Sequence, residues 1–188
     1  MQRVKSLFWM SLIFCSLFSC RTMQEPLEVV DYVDLQKYEG TWYEIARLPN
    51  RFERGLKCVT ATYELREDGK IKVINRGHKI AEPGQVDRTT GVARVVDQDE
   101  PGKLKVTFFW PFSGKYWIID LAEDYSYALV GSPSRKYLWI LSRSPQMDKK
   151  TYRYLLSLAR SKGFDTSDMI RTLQDCDAPP FTSDPHGW

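Results

Sequence analysis

The chain has 188 residues, enough for one domain with a sizeable core and too few for two ordinary ones. Lys and Arg number 27 against 24 Asp and Glu, and removal of a segment holding Arg3 and Lys5 would leave 25 cations against 24 anions. A balance so close to neutral offers no basic face for nucleic acid.

Residues 1–20 read as an address. Arg3 and Lys5 form a basic start, and an apolar run from Leu7 to Phe18 follows. That run is too short for a comfortable span of roughly 20 residues and suits the core of a secretory signal. It ends in Leu17-Phe18-Ser19-Cys20, which resembles the bacterial lipobox, where a small residue precedes a cysteine that is acylated and becomes the new N-terminus. The expected division is a lipoprotein signal over 1–19, a lipidated N-terminus and linker over 20–30, a folded domain over 31–176, and a loose tail over 177–188. Cys20 is the expected palmitate-type attachment site. Arg21 stands where an Asp would retain the lipoprotein in the inner membrane, so the expected location is the outer membrane, facing the periplasm. With Cys15 in the signal, Cys58 and Cys176 remain as an even pair in an oxidising compartment. They are either bridged or free; a bridge would close a loop of more than a hundred residues, worth roughly 4–5 kcal/mol by chain entropy.

From Gly40 to Arg143 short β-like runs alternate with turns. The first is Gly40 to Leu48. In the second, Lys57 to Arg66, apolar Val59, Ala61, Tyr63 and Leu65 alternate with polar neighbours, giving one buried and one wet face. Asp68-Gly69 makes a tight hairpin into Lys70–His78. Further runs are Gly91–Gln98, Lys103–Trp110, Lys115–Leu121, Tyr125–Gly131 and Lys136–Arg143. Eight strands so spaced predict an all-β antiparallel barrel or sandwich. A membrane-spanning barrel is excluded, because Lys57, Glu64, Arg66, Lys103 and Lys105 occupy the faces that would meet lipid. One helix follows, capped by Ser144, with Pro145 first and Gly163 at its end; Tyr152, Leu155, Leu156 and Ala159 form the face that packs outside the barrel.

Gly40-Thr41-Trp42 at the start of the first strand, after Leu35–Tyr38, resembles the signature of the lipocalins. The blocks over 51–77, 108–119 and 137–145 are similar to the bacterial outer-membrane lipocalins of the apolipoprotein D-like group, and the resemblance covers about residues 30 to 175. It implies an eight-stranded up-and-down barrel with one C-terminal helix, in which Gly40, Trp42 and Arg143 are structural. Trp42 plugs the closed end and Arg143 lies over its indole. It also implies a bridge between Cys58 and Cys176, since lipocalins often tie the second strand to the C-terminal region.

The implied site is a cup open at one end, holding a fatty acid or lysophospholipid, with neither cofactor nor metal and with a homodimer as a further partner. Alternation nominates Ala61, Tyr63, Val73, Asn75, Val106, Phe108, Tyr116, Ile118 and Leu138 as inward residues, with Tyr63, Asn75 and Tyr116 placed to orient a head group. Two other functions stand beside this one. A filled barrel would be structural or would bind a protein partner. A lipocalin-type enzyme would need Cys58 as a free thiol. His78 and His186 have neither triad nor metal-ligand spacing, read as exposed loop residues, and leave catalysis without a candidate base.

Overall fold

The computed structural model describes residues 25–176, so the signal segment, Cys20, His186 and the tail over 177–188 lie outside the described residues. A one-turn helix α1 (Leu35–Tyr38) leads into β1 (Gly40–Arg47), and then come β2 (Leu56–Leu65), β3 (Ile71–Lys79), β4 (Val86–Val95), β5 (Lys103–Phe109), β6 (Phe112–Leu121), β7 (Tyr127–Gly131) and β8 (Leu138–Ser142). Helix α2 (Lys149–Ser161) and the two-residue β9 (Ile170–Arg171) complete the order.

Each strand from β2 to β8 pairs antiparallel with the next, and β1 closes the ring by pairing with both β8 and β2. The strands therefore wrap one interior with no free edge there, which is the closure that removes the edge problem of open sheets. The closure is uneven. β1 meets β2 over only four pairs, from Gly40 opposite Tyr63 to Tyr43 opposite Thr60. Above them β9 lies along β1, with Ala46 opposite Arg171, and the Cys58 N–H donates to the Leu173 carbonyl. The seam between β1 and β2 is thus filled by chain from far downstream.

Two apolar clusters share the wall. Inside are Trp42, Tyr63, Ile71, Val73, Ala93, Leu104, Val106, Ile118, Val130 and Leu141 with their neighbours. Outside, Ile45, Leu129, Leu138 and Ile140 pack against Leu155, Ala159 and Phe164 from α2 and the chain after it. Leu155 and Ala159 are fully buried, so the amphipathic helix covers the wall as its spacing predicts.

Several boundaries differ from the sequence reading. The cap of α2 is Asp148, not Ser144; Asp148 Oδ1 accepts from the Lys150 and Thr151 N–H groups at 2.9 and 3.0 Å. The Ser144 hydroxyl is engaged by the nearer Gln146 N–H instead. Gly163, at φ +84°, does end the helix. β4 begins at Val86 rather than Gly91, because Val86–Thr90 is an exposed polar stretch with no apolar alternation to betray a strand. β7 begins two residues late, since Tyr125 sits in a turn at φ +59°. β9 and the four-residue α1 are too short to carry a pattern. His78 lies within β3, opposite Lys57 and Val86, and is not a loop residue.

Candidate ligand-binding site

The register divides the barrel into two ends. The hairpins β2–β3, β4–β5 and β6–β7 gather at one end with α1, and the connections β1–β2, β3–β4, β5–β6 and β7–β8 gather at the other.

The α1 end is closed by aromatic packing. Trp42 is fully buried and its Nε1 donates to the Tyr38 carbonyl at 2.9 Å. The Arg143 guanidinium stands 4.0 Å from the indole centroid and donates to the carbonyls of Thr41 at 3.1 Å and Lys37 at 2.7 Å. The guanidinium thus gains an aromatic face while keeping its hydrogen bonds, a contact worth about 0.5–2 kcal/mol. Gly40 is required beside it: its φ is +90° and a Cβ would meet Arg143 Nη1 at 3.3 Å.

Above this plug the inner wall carries the nominated residues. Tyr63, Val73, Val106 and Ile118 are buried members of the inner cluster, and Ala61, Phe108 and Tyr116 pack against it. Asn75 faces the same way, since it is paired across the sheet with Ala61. Gly91 makes room for Phe108; a Cβ there would meet the Phe108 ring at 2.7 Å. Leu138 is the exception. It belongs to the outer cluster beneath α2, and its neighbour Trp139 turns inward instead. In Tyr137-Leu138-Trp139-Ile140-Leu141 both faces are apolar because both are covered, so alternation carries no direction there.

Polar groups inside fall into two sets. Near the plug, the Tyr116 hydroxyl lies 2.8 Å from both the Tyr38 and the Tyr63 hydroxyls. Burial raises all three phenols above their ordinary range, so they remain protonated. Three hydroxyl protons serve two mutual hydrogen bonds, leaving one donor over. Asn75 Oδ1 is buried with no partner at all.

The second set lies at the far end of β1, and the sequence reading had missed it. Arg47 Nη1 donates to Glu44 Oε1 at 2.5 Å and to the Thr172 hydroxyl at 3.0 Å, and the Thr172 hydroxyl itself donates to Glu44. Glu53 receives the Trp139 Nε1 hydrogen bond at 3.1 Å. Arg47 Nε is 3.6 Å from Glu53, close enough for attraction but too far for a hydrogen bond, and it stays unpaired. Burial lifts the Glu44 carboxyl to about 8, aided by the Glu53 charge and opposed by Arg47. At neutral pH the cluster is therefore close to one cation against one anion, as a buried ion pair requires. No spacing announces it, because Thr172 arrives from 125 residues beyond Arg47. The visible signal was two charged residues in an otherwise apolar strand, Glu44 and Arg47.

Cys58 and Cys176 are joined, with their Cα atoms 6.1 Å apart. The sulfur of Cys58 is thereby unavailable as a nucleophile. The same bond occupies the only three-residue group of metal-capable side chains among the described residues, Cys58, Asp175 and Cys176.

The model of the lipocalin-like domain matches residues 33–174. An outer membrane lipoprotein Blc of Vibrio cholerae is 42% identical over 166 residues, covering 87% of this chain and 96% of that protein. Its namesake from Escherichia coli K12 is 45% identical over 152 residues, covering 81% and 85% respectively. Among solved structures, insecticyanin from Manduca sexta superposes with a TM-score of 0.62 at 25% identity, covering 79% of this chain and 84% of its own. Barrel, plug and sequence agree: the chain belongs to the lipocalin-like family.

Proposed function

We propose that this chain is a lipid-anchored lipocalin of a bacterial outer membrane, facing the periplasm, that binds a fatty acid or lysophospholipid in its barrel for membrane maintenance. The observation that carries the reading is the closed inner wall, apolar along Val73, Val106, Phe108 and Ile118 yet holding an orphaned acceptor, Asn75 Oδ1. Apolar walls with a few placed polar groups suit an amphiphile. The interior of an eight-stranded barrel is just wide enough to be filled by side chains or to hold one small ligand; a single acyl chain suits the second case lengthwise, and each buried methylene contributes about 0.8 kcal/mol. The names of the Blc relatives and the Leu17–Cys20 lipobox support the anchor at Cys20. Catalysis has no support, since the candidate thiol is spent in the bridge.

Displacement of a fluorescent lipid probe tests the reading. Long-chain fatty acids and lysophospholipids are expected to displace it at lower concentrations than two-chain phospholipids. Equal displacement by both classes defeats the single-chain assignment, and no probe binding together with no co-purified lipid leaves a filled barrel.

A further inference from the structure

The exposed apolar side chains are concentrated at the mouth, the end opposite Trp42. The β5–β6 turn presents Phe109, Trp110 and Phe112 at 71, 89 and 78% exposure, with Phe52 and Ile80 exposed on the neighbouring connections and Val86 exposed at the start of β4. Three bare aromatics on one turn are a costly surface for water to meet.

The outer wall leading to that turn is basic in a way that folding alone does not favour. Arg76 on β3 stands directly opposite Arg88 on β4 near the mouth, and a row of Lys115, Lys105 and Arg94 runs across β6, β5 and β4 from the mouth half down toward the closed end. All five are exposed, and none has an acidic partner among the described residues. Like charges directly opposed across a ladder destabilise it. The connections at the closed end, by contrast, carry Glu67, Asp68, Asp97, Asp99, Glu100, Glu123 and Asp124.

The described chain also starts at the mouth. Arg135, on the β7–β8 connection, holds the Glu25 carbonyl at 2.8 Å, and Lys162 pairs with Glu28. Four residues lie between Cys20 and Glu25, five steps of chain with a reach of at most about 18 Å.

We infer that the mouth docks on an anionic phospholipid bilayer. Phe109, Trp110 and Phe112 enter the interfacial layer while Arg76, Arg88 and Lys115, in the mouth halves of their strands, meet the phosphates. Aromatic side chains beside basic ones form the pairing that interfacial binding uses, and each cation near an anionic surface strengthens it about fivefold. A second copy is a poorer occupant, because two basic mouths repel. The inference deepens the proposed function and takes its tether from it: a ligand would pass between bilayer and barrel without crossing water.

The test uses the full chain in vesicles whose acyl chains carry bromine, comparing the parent with Trp110→Leu so that the difference reports Trp110 alone. In phosphatidylglycerol-rich vesicles Trp110 is expected to be quenched. In phosphatidylcholine vesicles, or with Arg88→Gln and Lys115→Gln together, quenching falls at least fivefold. Equal quenching in both lipids, or none in either, overturns the inference. So does protection of Trp110 that depends on protein concentration without lipid, which would mark a second copy. Probe displacement by single-chain lipids is read separately, so a chain that binds ligand without docking loses this inference and keeps the function.

Discussion

The two ends of the barrel solve closure by different means. At the base, an indole, a guanidinium and a phenol pack in order; Trp42 finds its partner four residues back at Tyr38, and the Arg143 head reaches Thr41 on the adjoining β1 and Lys37 on α1. At the mouth, β1 and β2 part after four pairs, and the gap is held by β9, by Gln174 bridging the Glu44 and Val59 carbonyls, and by the disulfide. The base is held by a stack of side chains inside the ring, whereas the mouth is held by added backbone and a covalent bond across an open seam. One is a plug and the other a clasp.

Cutting the clasp should have the largest effect. The bridge spans 118 residues, so replacing Cys58 and Cys176 by Ser is expected to cost about 5 kcal/mol in the chain-entropy account. Denaturant unfolding measures the loss. Amide exchange should show faster opening at Thr172 and at position 58, whose N–H groups bond the Ile45 and Leu173 carbonyls, while the base stays protected. An unchanged midpoint, or opening that starts at the base, would break the contrast between the ends.

Trp42→Ala should come next, at about 3–5 kcal/mol for truncating a fully buried aromatic. The remaining folded protein should keep its preference among ligands, since the plug lies below the nominated wall. A stable variant that failed to bind would mean that base and mouth had been exchanged.

The smallest effect concerns pH. The folded-state value of Glu44, about 8, lies above its ordinary 4.5, so the folded protein holds a proton that the unfolded chain releases. Stability from this group is complete below 4.5 and is lost as pH rises through about 8. Glu44→Gln should flatten that decline and leave the acid limb of the curve unmoved. Thermal unfolding across the window checks it, and a variant with the parent's slope removes Glu44 as the cause.

These contrasts also explain what the sequence disclosed. The plug was legible through the family resemblance that Gly40-Thr41-Trp42 carries, which implied both Trp42 at the closed end and Arg143 over its indole. The inner wall was legible wherever one face met water, as at Ala61, Tyr63 and Val73. It failed at Leu138, where α2 covers the outer face and both parities are apolar. The Glu44–Arg47–Thr172 cluster was hidden because its third member comes from a two-residue strand with no periodicity. The disulfide pairing came from family resemblance together with an even count of cysteines, and the closure of the seam that it secures had no local signature.

The seam has a consequence for the order of assembly. Arg47 waits for Thr172 across 125 residues, so the wall that begins with the first strand cannot be completed until nearly the whole domain has emerged. In a chain delivered from its N-terminus, β1 can pair with β2 over its first four residues and must leave the rest of its edge open meanwhile. Late closure from distant contacts is slow, and an open edge invites wrong partners. That edge is short and carries Glu44 and Arg47, two charged residues poorly suited to pairing with a stray strand.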